Sequence, residues 1–167
     1  MLFQKKIGHI NSFQINNRKI DYWELEWHEC QKRIIRKRTK AGMEISFKSL
    51  NENPVFTEGD VIFENEDIVV AVTVVTSEVI VIKPKSFFET ASICYEIGNK
   101  HVPLFYQNEE LMLPFEKPLF EHLKAQGYDI CKMERKLLSP LRTSVSSHHH
   151  SNGESLFNKI MKLSSNG

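Results

Sequence analysis

The sequence predicts an α+β protein with an N-terminal all-β domain, a second domain of strands and helices in the order βαββαβ, and a flexible histidine-containing tail. Three observations support this prediction. The first half alternates apolar and polar residues with a period of two, which is typical of half-buried strands. In the second half, two segments have apolar residues at helical spacing, and each lies between segments that resemble strands. From residue 139 the composition shifts to Ser, Asn, Gly and His, which favours a flexible tail.

The first half is predicted to form short strands joined by tight turns, within residues 1–75. In "YWELEWH", Trp23, Leu25 and Trp27 occupy alternate positions, as on one face of a strand. The run "KRIIRKRTKAGMEISFKSL" predicts two strands around an Ala41-Gly42 turn. The run "VIFENEDIVVAVTVV" predicts two more around "ENED", after a turn at "TEGD". Short strands at this spacing indicate a small antiparallel barrel or sandwich.

The second half, residues 76–140, is predicted to contain four strands and two helices. The strands are "EVIVIKP", "HVPLFYQ", "ELMLPF" and "YDICKMERKL", and "EKPLFEHLKAQG" is the second helix. The first helix is predicted to start after Ser86, a capping residue, and to end at Gly98. Its buried face would consist of Phe87, Ala91, Cys94 and Ile97. The order of strands and helices is that of a ferredoxin-like domain.

The predicted tail, residues 141–167, carries three consecutive histidines, His148, His149 and His150. Short histidine tracts bind nickel, copper and zinc through neutral imidazole. A polar linker or a cloning remnant is the alternative interpretation. The run Glu154–Leu163 has the pattern of a short amphipathic helix, but ten residues are marginally stable in isolation.

Composition and missing motifs exclude several classes of function. The chain has 22 basic and 21 acidic residues, a net charge of +1, so no strong field attracts nucleic acid or an acidic membrane. The three cysteines form no CxxC pair, which argues against a disulfide framework and a thiolate zinc site. We find no signal peptide, no membrane-spanning run and no P-loop, GxSxG or HExxH motif. These features predict a cytoplasmic protein that is not an enzyme.

His101 stands in the run "CYEIGNKHVPLFYQN", between the first predicted helix and the next strand. One imidazole does not make a stable metal site, and no acid or nucleophile is adjacent to it. A lone histidine is usually a capping or surface residue. A two-fold axis near His101 would instead bring two copies together, because an isologous interface repeats each residue on both sides.

The chain resembles the UreE family of urease accessory proteins over nearly its whole length before the tail. The similar segments are "IGHI", "WELEWHECQKRIIRKRTKAGMEI", "EGDVIF", "VIVIKP" and, most specifically, "YEIGNKH". The resemblance implies a ferredoxin-like second domain, the same order that the residues themselves predict. It also implies an N-terminal partner-binding domain. A second metal site, formed in some members by histidines after the motif, is not expected, because "PLFYQNEELMLPFEK" has none.

The resemblance further implies a nickel metallochaperone that forms a homodimer through its second domain. His101, which closes the "GNKH" motif, would bind Ni²⁺, with His148, His149 and His150 as supplementary ligands. Zn²⁺ or Cu²⁺ could occupy the same site. The implied partners are the urease apoprotein–accessory complex and especially the accessory GTPase UreG, with no nucleic acid and no membrane. A nickel or zinc storage protein is the alternative, because storage and delivery use the same ligands.

Two other functions of ferredoxin-like domains fit the sequence poorly. An acylphosphatase needs a phosphate-binding loop with an arginine after the first strand, and "KPKS" contains none. An RNA-binding module needs exposed aromatic residues on its two central strands. "EVIVIKP" has no aromatic residue, and "ELMLPF" has only Phe115 at its end. Neither function is therefore expected.

Overall fold

The computed structural model describes residues 2–49, 55–138 and 140–141. Its strands are Leu2–Phe3 (β1), Gly8–His9 (β2), Lys19–Leu25 (β3), Ile34–Arg38 (β4), Glu44–Lys48 (β5), Asp60–Glu64 (β6), Ile68–Val74 (β7), Ser77–Ile82 (β8), Phe105–Gln107 (β9), Glu110–Pro114 (β10) and Ile130–Arg135 (β11). The α-helices are Phe87–Asn99 (α1) and Lys117–Ala125 (α2). Among the described helices, neither is long and apolar enough to cross a membrane.

The first half of the chain forms two sheets around one apolar core. Their strand orders are β2-β6-β7-β3 and β1-β5-β4. Trp23 lies fully buried between them, with its ring edge-on to Phe56 at 5.5 Å. The expectation of a purely antiparallel arrangement is wrong, because β1–β5 and β3–β7 pair in parallel. Parallel neighbours need a long connection, and here the intervening strands of the same domain supply it.

The second half forms a four-stranded antiparallel sheet in the order β11-β8-β10-β9. With α1 after β8 and α2 after β10, this is the ferredoxin-like arrangement, as predicted. A two-residue turn joins β9 to β10, and both of its residues have positive φ, 52° at Asn108 and 65° at Glu109. Turns of this kind match the twist of the flanking strands. The domain boundary between residues 75 and 76 stays a prediction.

Strand β8 is buried on both of its faces. Ile80 and Ile82 pack with the residues under α1 and α2, and Val79 and Val81 belong to a separate cluster on the opposite face. All four are inaccessible to solvent. Trp27, from the loop after β3, covers the second face, and its ring lies edge-on to Phe105 at 5.5 Å. The first half of the chain thus acts as a third layer against the sheet.

Helix α1 differs from the sequence prediction in its end and in its buried face. It continues through Gly98 to Asn99. Ile93 and Ile97 are fully buried, whereas Phe87 is 89% exposed. Ala91 is also exposed and Cys94 is half-buried. The prediction is confirmed for Ile97 and for Cys94, which packs against the core, and is wrong for Phe87 and Ala91, because Ile93, one turn before Ile97, packs against the sheet in their place.

After β11 the chain crosses the second face of the sheet from one edge to the other. We call residues 136–141 the crossing segment; residue 139 lies outside the described residues. Leu137 is buried against Val79, Val81 and Phe105. Pro140 then forms an antiparallel bridge with Phe105. β11 and β9 are opposite edges of the sheet, so this crossing carries the chain to the β9 edge.

Glu58 ties the crossing segment to the first half of the chain. Its carboxylate accepts hydrogen bonds from Lys136 Nζ at 2.8 Å, Thr73 Oγ1 at 3.0 Å and the Val74 N–H at 2.7 Å. Burial alone would raise the pKa of Glu58, but these hydrogen bonds and the charge of Lys136 outweigh it and lower the pKa. The ionised form is therefore the one that stabilises the fold.

We expect Glu58→Gln to lower the free energy of unfolding at pH 7 by up to about 1 kcal/mol, the range for partly exposed ion pairs. Since the folded-state pKa of Glu58 lies below its unfolded value, its contribution is present above the unfolded pKa. It is lost as the pH falls through the folded pKa. Urea denaturation between pH 7 and pH 3 measures the free energy of unfolding of the wild type and of Glu58→Gln. The two values should become equal in acid. Glu66→Gln, a substitution of an exposed carboxylate, is the matched control. A difference from wild type that does not change with pH would contradict this explanation.

Candidate metal site

Helix α1 positions the candidate ligand His101, and its start is fixed by two capping hydrogen bonds. Ser86 Oγ accepts the Glu89 N–H at 3.1 Å, and the Glu89 carboxylate accepts the Lys85 N–H at 2.7 Å. This reciprocal arrangement resembles a capping box, in which a side chain at each position satisfies a backbone donor. The predicted cap at Ser86 is therefore confirmed.

His101 ends the turn that follows α1, in a conformation that is unusual for its residue type. Its φ is +55°, and its N–H donates to the Gly98 carbonyl at 3.1 Å. The left-handed conformation costs a residue with a side chain roughly 1–2 kcal/mol. Helices that end this way normally place glycine there. The imidazole is exposed to solvent. A costly conformation at an exposed imidazole is the kind of local strain found at binding sites.

The other described histidines have different surroundings. His9 Nε2 lies 2.9 Å from the Glu58 carbonyl, and its Nδ1 accepts the Asn11 N–H at 3.3 Å. His122 Nε2 lies 2.6 Å from Glu96 Oε1 and joins α2 to α1. The His28 ring packs edge-on against Trp27. These contacts are those of surface or hydrogen-bonded structural histidines.

A single chain does not assemble a complete metal site within its described residues. No group of three His, Cys, Asp or Glu side chains there is arranged to hold a metal ion. His148, His149 and His150, and the predicted helix Glu154–Leu163, lie outside the described residues. Within the described residues His101 is thus not part of such a group of three.

The cysteines offer no ready thiolate ligand near His101. All three are free. Burial and the neighbouring carboxylates of Glu29, Asp60 and Glu58 raise the pKa of Cys30 to about 11. Burial also raises the pKa of Cys94, which packs under α1. A thiol with a raised pKa is a poor metal ligand at neutral pH.

Next to His101, helix α1 presents an apolar surface to solvent. Phe87, Phe88 and Tyr95 are 89%, 81% and 75% exposed. Gly98 follows on the same side of the helix, and a Cβ atom added there would have no other atom within 4 Å. We call these residues, with Ala91, the exposed face of α1. The sequence prediction missed it by placing Phe87 and Ala91 in the core. The adjacent pair "FF" was the available signal, since both rings could not face the sheet.

The last described residues lie beside the strand that follows His101. The Leu141 N–H donates to the Leu104 carbonyl at 2.7 Å, next to the bridge between Phe105 and Pro140. Leu104 is three residues after His101 in the chain. Leu141 therefore pairs with a residue three positions from the candidate ligand.

Two protein-family models match the chain. The model described as "UreE urease accessory protein, N-terminal domain" matches residues 3–75. The model described as "UreE urease accessory protein, C-terminal domain" matches residues 77–157. Together they extend over most of the chain, including the segment with His101.

Curated proteins are similar over comparable lengths. A urease accessory protein UreE of Flavobacterium johnsoniae is 42% identical over 163 residues, 98% of this chain and 99% of the relative. One of Actinobacillus pleuropneumoniae is 46% identical over 138 residues, 83% of this chain and 74% of the relative. One of Haemophilus influenzae strain PittGG is 39% identical over 152 residues, 89% and 82% of the two chains. The similarity therefore extends through both halves of the chain.

We expect His101→Gly to be more stable than His101→Ala by about 1 kcal/mol, because glycine adopts a left-handed conformation without steric cost. Chemical denaturation of the metal-free proteins measures the difference. The matched pair Lys100→Gly and Lys100→Ala, at the preceding right-handed position, should show the opposite order. Equal stability of the two His101 variants would show that the residue is not held in a strained conformation.

Proposed function

Because this chain belongs to the UreE family of urease accessory proteins, we propose that it acts in urease maturation as a nickel metallochaperone. In this proposal His101 of each of two copies binds Ni²⁺ at a dimer interface in the second domain. The observation that carries it is the position of His101, whose imidazole is exposed and whose backbone is left-handed, just after a helix with an exposed apolar face.

The exposed face of α1 supports the homodimer. Large apolar side chains grouped on a surface mark interaction sites, and burial of Phe87, Phe88 and Tyr95 would provide the driving force. An isologous interface places the same face of each copy against the other. His101 lies three residues after Gly98, in the turn that ends α1. A two-fold axis close to this end of the helix would bring the two imidazoles together.

A pair of imidazoles suits a protein that must release its metal. Two ligands leave several coordination positions of Ni²⁺ open to water, to tail histidines or to ligands of an acceptor. Imidazole also binds Zn²⁺ and Cu²⁺, and Cu²⁺ more strongly, so supply and partners must determine which metal is carried. The ligand must be neutral, so metal competes with protons and acid weakens binding.

The tail histidines are proposed as supplementary ligands. His148 lies seven residues after Leu141 and His150 nine. Seven residues extend up to about 25 Å, which is enough to reach from the β9 edge to His101. Ligands supplied by a tethered segment act at high effective concentration and still dissociate readily.

The proposed partners are those of urease assembly. The chain would pass Ni²⁺ to the urease apoprotein–accessory complex, in particular through the GTPase UreG, in the cytoplasm, and would perform no catalysis of its own. Storage of nickel is the second candidate, since it needs the same ligands. The two differ in the recipient: a delivery protein contacts the assembly complex, whereas a store exchanges metal with solvent.

We expect Phe88→Glu to convert the dimer into a monomer, because it would bury a charge in the proposed apolar interface. The molar mass measured by light scattering should fall from that of two chains to that of one chain, 19.5 kDa. Ile34→Glu, a change of a 66% exposed residue on β4 of the first half, is the control and should remain dimeric. A wild-type protein that is monomeric with metal bound would contradict the proposal.

We expect His101→Ala to remove the highest-affinity nickel of the dimer and to impair urease activation in cells at limiting nickel. The substitution deletes both interfacial ligands at once, so affinity should fall by orders of magnitude, where each factor of ten is about 1.4 kcal/mol. Calorimetry measures the affinity, and excess nickel should partly restore urease activity. His28→Ala, which removes another exposed histidine, is the matched control.

Two outcomes of this experiment argue against the proposal in different ways. Unchanged nickel affinity in His101→Ala would make His101 a structural residue. Lower affinity with unchanged urease activation under limiting nickel would favour storage over delivery.

A further inference from the structure

We infer that Lys100 lowers the affinity of the proposed nickel site by electrostatic repulsion, so that metal bound by His101 is released readily. This inference rests on the proposed function and assigns a role to a residue that does not itself bind the metal. The ammonium group of Lys100 would repel a divalent cation held at the neighbouring residue.

Lys100 directly precedes His101, at the C-cap of α1. Its backbone is right-handed, with φ −85° and ψ −4°, and its N–H donates to the Ile97 carbonyl at 3.0 Å. The side chain is exposed and has no hydrogen bond or ion pair among the described residues. Since consecutive Cα atoms are about 3.8 Å apart, the ammonium group stays near the imidazole in every rotamer.

No acidic residue close in the chain compensates for the charge of Lys100. The sequence has no Asp or Glu from residue 97 to residue 108. Glu96, the last acid of α1, lies 2.6 Å from His122 Nε2, and Glu110 pairs with Lys83. The exposed face of α1 is uncharged. A metal ion at His101 would therefore meet Lys100 as the nearest formal charge along the chain.

Sites that hold cations tightly are built in the opposite way. Their affinity increases with the number of charged oxygen ligands. Histidine ligands usually donate their second ring N–H to a carboxylate or a carbonyl, which makes them better ligands. Within the described part of the chain, His101 has no carboxylate partner of this kind. A lysine stands beside it instead, which is the charge expected where metal must be released.

A structural role for Lys100 predicts a different result. A cation in the last turn of a helix interacts favourably with the helix dipole and with the last carbonyl groups. If this were its only role, removal of the charge would leave nickel affinity unchanged or would lower it. If Lys100 repels the metal, removal of the charge raises the affinity. The sign of the change therefore separates the two roles.

Coulomb's law gives the size of the effect. A unit charge about 8 Å from a divalent ion in water lowers the affinity about fivefold without salt. Two copies of Lys100 act in the proposed dimer, so their factors multiply. The Debye length is about 30, 8 and 3 Å at about 0.01, 0.15 and 1 M ionic strength. The combined factor is then about fifteen, about four and close to one, respectively.

The test measures nickel affinity in a charge series of the full chain. Lys100→Gln removes the charge, Lys100→Arg keeps it and Lys100→Glu reverses it. Lys48→Gln, a change of an exposed lysine on β5 of the first half, is the matched control. Affinity is determined by competition with a chelator at the three ionic strengths, in a non-coordinating salt at pH 8, where protons compete little for imidazole. The rate of nickel transfer to excess chelator measures release.

We expect Lys100→Gln to bind nickel about fifteenfold more tightly than the wild type at about 0.01 M ionic strength, about fourfold at 0.15 M, and equally at 1 M. Lys100→Glu should bind more tightly still, and both variants should release nickel more slowly. Lys100→Arg and Lys48→Gln should match the wild type. Equal affinities of Lys100→Gln and wild type at low ionic strength would overturn the inference, as would a lower affinity or a difference that salt does not reduce.

His101→Ala, measured beside this series, separates the inference from the proposed function. If His101→Ala loses nickel while the Lys100 variants equal the wild type, the electrostatic role alone is wrong. If His101→Ala binds nickel as tightly as the wild type, the proposed function fails and the role of Lys100 fails with it.

Discussion

Burial of β8 on both faces is the constraint on which the rest of the structure depends. Four consecutive apolar residues, from Val79 to Ile82, are inaccessible to solvent and alternate between two clusters. A strand of this kind needs a cover on each side. The two helices provide one cover, and Trp27 with Leu137 provides the other. The placement of the first half against the sheet and the path of the crossing segment both follow from this requirement.

The packing on β8 also holds α1, the helix that precedes His101, in a fixed position. α1 is anchored on the sheet through Ile93 and Ile97, and the Glu96–His122 contact joins it to α2. His101 therefore has a fixed backbone, even though its imidazole lies in solvent. In the proposed site, one ligand would be held by a rigid helix, whereas the other coordination positions of the metal would stay accessible. Such a site can bind a metal ion at a defined position and still release it. Closed structural metal sites do the opposite and keep their ions.

Sequence reasoning predicted the strands and their order because periodicity and turn residues are local signals. The alternation in "YWELEWH", the cap at Ser86 and the glycine after α2 required no knowledge of distant contacts. The parallel pairing of β3 with β7 and the exposure of Phe87 on α1 were not predictable in this way. Both depend on which surfaces come into contact in the folded protein. Because Phe87 is as apolar as Ile93, hydrophobicity alone did not show which of them faces the sheet. His101 was identified by its motif, whereas its left-handed backbone and the Leu141 contact emerged only from the fold.

The strand order also has a consequence for synthesis on the ribosome. β8 pairs with β10 and β11, and both lie later in the chain. At roughly 5–20 residues per second, an emerging β8 stays without either neighbour for seconds. During that interval its two valines and two isoleucines form an exposed, β-prone apolar run, which only the flanking Glu78 and Lys83 protect from pairing with other chains. The completed first half offers Trp27 as an early surface for β8 to contact. We therefore regard the N-terminal position of that layer as an advantage for vectorial folding.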